Sequence, residues 1–195
     1  MSPTRISTDA APVPTTLDGF EVLDICHRQT VFALGKLAAL MSRLGKHGAD
    51  ATARGLASEV VQHFSTTARL HHEDEERHVF PKLISGADAV TLQNILRLQQ
   101  DHGWLEADWL ELSPQLDAIA NGQSWYDLDA LREGVEIFIA LSHDHIALEE
   151  SIIYPQARAR LRPAERLDMG REMVRRRRAQ RENKPAAAAV LHRRK

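Results

Sequence analysis

The stretch HHEDEERHVFP, residues 71–81, returns as HIALEESIIYP at residues 145–155, and Phe64 ahead of the first copy returns as Phe138 ahead of the second. The copies lie 74 positions apart, pairing His71 with His145, Glu75 with Glu149, Glu76 with Glu150, Phe80 with Tyr154 and Pro81 with Pro155. In both, His and Glu stand at i and i+4, so on a helix the two side chains sit one above the other on one face. Two similar helices that each offer an imidazole and a carboxylate are what a dinuclear metal centre inside a helical bundle requires.

The flanking sequence extends the repeat. A 3,4-spaced stripe runs Phe20, Leu23, His27, Thr30, Leu34, Leu37, Met41, Leu44, and a second runs Ile95, Leu98, His102, Leu105, Trp109, Leu112, Leu116, Ile119. The second is the first moved by 75 positions, with His third in each. Asp18 and Glu21 have capping-box spacing and mark the first helix start. GKHGAD at 45–50, a Gly-containing turn at 85–88 and NGQS at 121–124 break the pattern. Helices are therefore expected from about 51 to 83 and from about 127 to 160, the latter turning Leu128, Leu131, Val135, Phe138, His145, Glu149 and Ile152 inward. Pro114 is expected to kink or interrupt the third helix. No strand alternation bounded by turns occurs. The prediction is an all-α, up-down-up-down antiparallel four-helix bundle over 17–161, built from two pseudo-twofold-related hairpins. A flexible Ser/Thr/Pro/Ala-rich arm at 1–16 precedes it, and a short C-terminal helix with a basic tail at 162–195 follows.

Composition narrows the class. The chain has 195 residues, a formal charge of −2 and a pI near 6.6, so nothing draws it as a whole to nucleic acid or to membranes. No apolar run approaches the length of a membrane-spanning helix, and the N-terminus lacks the apolar segment of a secretory signal. Cys26 is the only cysteine, which excludes an internal disulfide and a thiolate metal cluster. These features fit a cytoplasmic protein.

The histidines carry the chemistry. An imidazole in an apolar stripe costs a few kcal/mol unless it has a partner, and here the substitution occurs on all four helices, as His27, His71, His102 and His145. Glu75 and Glu149, one turn beyond two of them, would repel each other in a shared core without cations. A pair of metal ions resolves the conflict, with each carboxylate bridging and each imidazole terminal. Four imidazoles and two carboxylates without thiolate suit iron or manganese better than a closed tetrahedral zinc site. With an oxo or hydroxo bridge each ion keeps an open position, for oxygen, nitric oxide, peroxide or water.

The order His27, His71-x3-Glu75, His102, His145-x3-Glu149, with its HHEDEERHVFP and HIALEESIIYP flanks, resembles the hemerythrin-like, HHE cation-binding domain over about residues 20–160. The resemblance implies a four-helix bundle with a non-haem di-iron site, His27, His71, His102 and His145 as terminal ligands and Glu75 and Glu149 as bridges. Oxygen-carrying hemerythrin has a second His where this chain has Glu106, and an Asp bridge at i+5 where this chain has Glu149 at i+4. The ligand set looks closer to the iron-centre repair subgroup, without its Cys-containing N-terminal domain, and is similar to the iron-sensing domain of an F-box protein.

Glu106 reads either as a seventh ligand one turn below His102 or as a surface residue. Glu76 and Glu150 read as solvated charges rather than imidazole acceptors, and His72, His78, His143 and Asp144 as exposed. Cys26 reads as a small buried side chain, and Trp104, Trp109 and Trp125 as packing residues. Ala68 and Ser142 leave space near the centre. The run Arg171, Arg175, Arg176, Arg177, Arg178, Arg181, continued by Arg193, Arg194 and Lys195, reads as a solvated helix end favoured by the macrodipole rather than as a nucleic-acid contact. The expected function is a di-iron protein that binds or senses oxygen, nitric oxide or peroxide, or that stores iron or donates it to an acceptor protein. The alternatives are a peroxidase- or catalase-like enzyme and a polyanion-binding module using the arginine tail.

Overall fold

Each helix begins where a carboxylate caps it. In the computed structural model, which describes residues 17–191, Asp18 accepts from the Phe20 N–H at 2.9 Å while Glu21 accepts from the Asp18 N–H at 2.7 Å, closing the capping box of α1, Gly19–His47. Gly48, at φ 65°, ends it. Asp50, Asp88 and Asp127 cap α2 (residues 51–84), α3 (Ala89–Ala120) and α4 (residues 128–160), each side chain accepting from a first-turn N–H without the reciprocal bond. The fifth helix, α5, is Pro163–Leu191. The arm expected at 1–16, and Arg193, Arg194 and Lys195, lie outside the described residues.

α1 packs on α2, α4 and α5, and α3 packs on α2 and α4, which is the antiparallel bundle expected. All sixteen members of the two repeated stripes are buried. The core has two apolar regions. One gathers Leu34, Leu37, Phe64, Trp109, Leu116 and Phe138; the other gathers Phe20, Leu23, Phe80, Ile95, Leu98 and Tyr154. Along each of α1 to α4, the repeated His, joined by Glu on α2 and α4, lies between the two regions.

Helices α2 and α4 are not uniformly α-helical. Wider π-helical turns occupy Glu75–Val79 and Glu149–Ile153. Each comes just before the repeated Pro81 or Pro155, whose ring lacks an N–H and clashes with the carbonyl four residues back, so a wider turn accommodates it. The extra residue shifts the inward face by one. Ile152, expected inward, is 37% exposed, and Ile153 and Tyr154 are buried in its place. A third π-helical stretch, His63–Ala68, has no counterpart in α4, which is α-helical over Leu128–Leu148.

Other departures also have local causes. α3 runs through Pro114 without interruption. Pro114 and Leu110, whose carbonyl loses its donor, are both exposed, on the solvent side of the helix where a freed group costs least. α5 is 29 residues long rather than short, because it docks. Met169 and Met173 join the second core region, and α5 approaches α1 so closely that a Cβ on Gly170 would lie 2.0 Å from the Leu17 carbonyl oxygen. Trp109 is buried, but Trp104 and Trp125 are 51% and 58% exposed and do not pack in the core as expected. No helix among the described residues is long and apolar enough to cross a membrane.

Candidate metal centre

The i,i+4 spacing sets the centre. On α2, His71 Nε2 lies 3.4 Å from Glu75 Oε1, and on α4, His145 Nε2 lies 3.1 Å from Glu149 Oε1. α1 and α3 each add an imidazole across the bundle: His27 Nε2 is 3.1 Å from Glu149 Oε2, and His102 Nε2 is 3.4 Å from Glu75 Oε2. All six side chains are buried, and both carboxylates are fully enclosed. The donor atoms form two overlapping sets, His27, His71, Glu75, Glu149 and Glu75, His102, His145, Glu149, with the atoms of each set within 4.8 Å of one another. Both sets contain both carboxylates.

Most of these donor atoms face one another rather than outside hydrogen-bonding partners. His27 Nε2 and His71 Nε2 approach to 3.0 Å. His102 Nε2, His145 Nε2, Glu75 Oε2 and Glu149 Oε1 are buried without a hydrogen-bond partner. Such groups are costly when left unmatched. Converging lone pairs suit a cation, so the residues fit the metal ions that their chemistry calls for.

Protonation in the metal-free chain is uneven across the layer, with the α2 and α4 imidazoles lowered and the α1 and α3 imidazoles raised. Burial pulls His71 down to about 3 and His145 to about 4, leaving both imidazoles neutral and ready to donate a lone pair. Burial also lowers His102, but Glu75 and Glu76 outweigh it and carry it up to about 9. Burial raises Glu75 as well, yet His71 and His102 hold it below the ordinary carboxylate range. Glu149 is pushed up by burial and by the Glu75 charge. Two carboxylates in one dry core do not both ionise without added positive charge.

Several residues behave differently from their reading in the sequence. Glu150 accepts from His27 Nδ1 at 2.9 Å, and Glu76 accepts from His102 Nδ1 at 2.9 Å. Position i+5 does rotate off the face of its own helix, but it turns toward the imidazole of the neighbouring helix, which one-helix geometry cannot show. Each carboxylate fixes the ring so that Nε2 points inward. Asp101 faces His145 Nδ1 at 3.7 Å. His72 is half-buried rather than exposed and stacks on His102, 4.1 Å between ring centres. His78 is half-buried against Glu172 of α5 at 2.8 Å, while His143 and Asp144 are exposed as expected. Glu106 is exposed and belongs to neither donor set.

Tyr154 was not singled out by the pattern. Its hydroxyl donates to Glu75 and lies 3.2 Å from His27 Nε2, and its ring stacks on His27 at 5.2 Å. The only signal was the change from Phe80 to Tyr154 between otherwise matched copies. The arginine run is not a solvated end throughout. Arg176 and Arg177 reach the buried Asp74 at 2.7 and 2.6 Å, and Arg177 donates to the Cys26 sulfur at 3.2 Å. Burial keeps the Cys26 thiol up despite that guanidinium, which makes it a packed, protonated side chain.

A family model described as the hemerythrin HHE cation binding domain matches residues 18–157. The chain belongs to the hemerythrin HHE family. The match spans the four helices and all six donors. An uncharacterized protein from Haemophilus influenzae is 32% identical over 157 residues, covering 80% of this chain and 88% of the relative. For this HHE domain the geometry and the family agree on a cation site in a helical bundle.

Proposed function

We propose that this HHE domain holds two iron ions, or manganese in their place, in the pair of donor sets, and that it binds or senses oxygen, nitric oxide or peroxide there. The two overlapping sets that share Glu75 and Glu149 carry this reading, because one ion cannot use six converging donors and two shared carboxylates as well as two ions can. His27, His71, His102 and His145 would hold the ions together with Glu75 and Glu149, the two carboxylates that both donor sets contain. Iron at such a centre supplies redox chemistry and exchangeable coordination positions. The chain supplies orientation and exclusion of water: Glu76 and Glu150 hold two rings, the Tyr154 hydroxyl holds a proton against Glu75, and two apolar core regions flank the layer.

Storage of iron, or its donation to an acceptor protein, uses the same ligands. A peroxidase-like reading draws support from Tyr154, a proton-bearing hydroxyl beside the donors. The polyanion reading loses support, since Arg176 and Arg177 are engaged by Asp74. The test is an anaerobic Fe(II) titration followed by addition of oxygen, nitric oxide or peroxide. Near-ultraviolet and visible charge-transfer bands that develop on oxidation and are absent from Glu75→Ala/Glu149→Ala are expected. A spectrum indifferent to all three small molecules would rule out the sensing role and leave storage.

A further inference from the structure

A cavity of about 410 Å3 reaches from the surface to the imidazole layer, with His27, His71, His102 and His145 at its inner end. A water molecule's share of liquid volume is roughly 30 Å3, and an oxygen or nitric oxide molecule is of similar size, so the space far exceeds a diatomic's needs. It falls within the range of sites for small organic ligands.

The inner part of the cavity keeps the pseudo-twofold, with Phe64 and Phe138, Ala68 and Ser142, and His72 and Ile146 lining it as pairs, but its outer wall does not: Ser65, Arg69 and Glu73 of α2 line it, and their α4 counterparts Ile139, His143 and Ala147 do not. The π-helical stretch His63–Ala68, which α4 lacks, lies along this wall. Phe64, Trp109 and Phe138 close the far end as a cluster with centre-to-centre distances of 5.0–5.9 Å. Each is seven residues from a donor imidazole, about two helical turns or 11 Å. Leu105 lines the space between, and Trp109 Nε1 is anchored to Ser65 Oγ at 3.2 Å. Arg69, Glu73, Glu76 and Glu106 stand at the exposed side, three carboxylates to one guanidinium. That balance repels anions and admits neutral molecules.

We propose that this cavity binds a neutral, single-ring organic molecule carrying a hydroxyl-type oxygen, with its ring against Phe64, Trp109 and Phe138 and its oxygen at the imidazole layer. The inference rests on the metal-centre reading for what the oxygen meets, but not for the binding of the ring. A diatomic-only site would need no aromatic end wall two turns away, and an anionic ligand would meet the wrong charge at the entrance.

The probe is benzyl alcohol, with benzenesulfonate as its anionic counterpart, titrated into the full chain carrying Trp104→Phe and Trp125→Phe so that Trp109 alone emits. A saturable change in Trp109 emission with benzyl alcohol is expected, at least tenfold weaker with benzenesulfonate, in both metal-free and iron-loaded protein. Ala68→Phe, and separately Ser113→Phe near the exposed side, should abolish it. A non-saturable response, equal responses to the two probes, or a response surviving both filled variants would overturn the proposal. Iron content is measured on the same samples. A chain that takes benzyl alcohol but no iron upholds this inference and refutes the metal reading; two irons without a saturable response does the reverse.

Discussion

Glu76 and Glu150 show how much one residue beyond a ligand matters. Each sits beside a carboxylate of the candidate metal centre, Glu75 or Glu149, and turns away from it to hold an imidazole on another helix. Glu76→Gln and Glu150→Gln keep the shape but lose the charge, and each is expected to weaken iron affinity by about 10–100-fold while leaving the fold intact; competition with a chelator measures it. Tyr154→Phe should leave the helices unchanged, since Phe80 fills the matching position, and should alter the charge-transfer spectrum through loss of the hydrogen bond that the hydroxyl donates to Glu75. Away from the centre, half-buried His63 sits 3.0 Å from the Thr30 hydroxyl, and burial lowers its pKa to about 4. A depressed histidine favours the neutral form in the folded state. Its contribution is present above the unfolded value near 6.5 and lost as pH falls toward 4. His63→Gln should flatten the fall in melting temperature over that interval; an unchanged pH profile would show that His63 does not contribute.

At the scale of the element, the C-terminal helix is a structural part of the bundle. Asp74, fully enclosed, meets Arg176 and Arg177 from α5, and Met173 is fully buried against the rest. Removing one partner of a buried ion pair leaves the other charge stranded, at a cost of about 3–5 kcal/mol. Either arginine alone still pairs with Asp74, so the double variant Arg176→Met/Arg177→Met should lower stability clearly, and truncation after Leu161 more so, as chemical denaturation would measure. The sequence conveyed only part of this element. Its arginines at 3,4 spacing look like a solvated face, and their partner Asp74 lies on a helix more than a hundred residues away. The π-helical turns were equally hidden. Their cue is Pro81 and Pro155, whose consequence for the inward face of Ile152 emerges only when the wider turn is built.

For the molecule as a whole, repetition made the architecture readable. A His in the third place of two stripes, and His-x3-Glu in two helices, specify both the antiparallel order and the layer where the ligands meet. What the repeat could not convey is where the halves differ. Tyr154 replaces Phe80, and α2 carries an additional π-helical stretch beside a cavity, so a nearly symmetric ligand set sits beneath an asymmetric entrance. Symmetry here reports the metal layer, and its violations report what approaches that layer. The most direct test is elemental analysis of the full chain after anaerobic loading with Fe(II) and removal of excess metal. Two irons per chain are expected, falling to none in Glu75→Ala/Glu149→Ala. A fully helical, folded chain that retains no iron, or a double variant that retains both ions, would contradict the assignment.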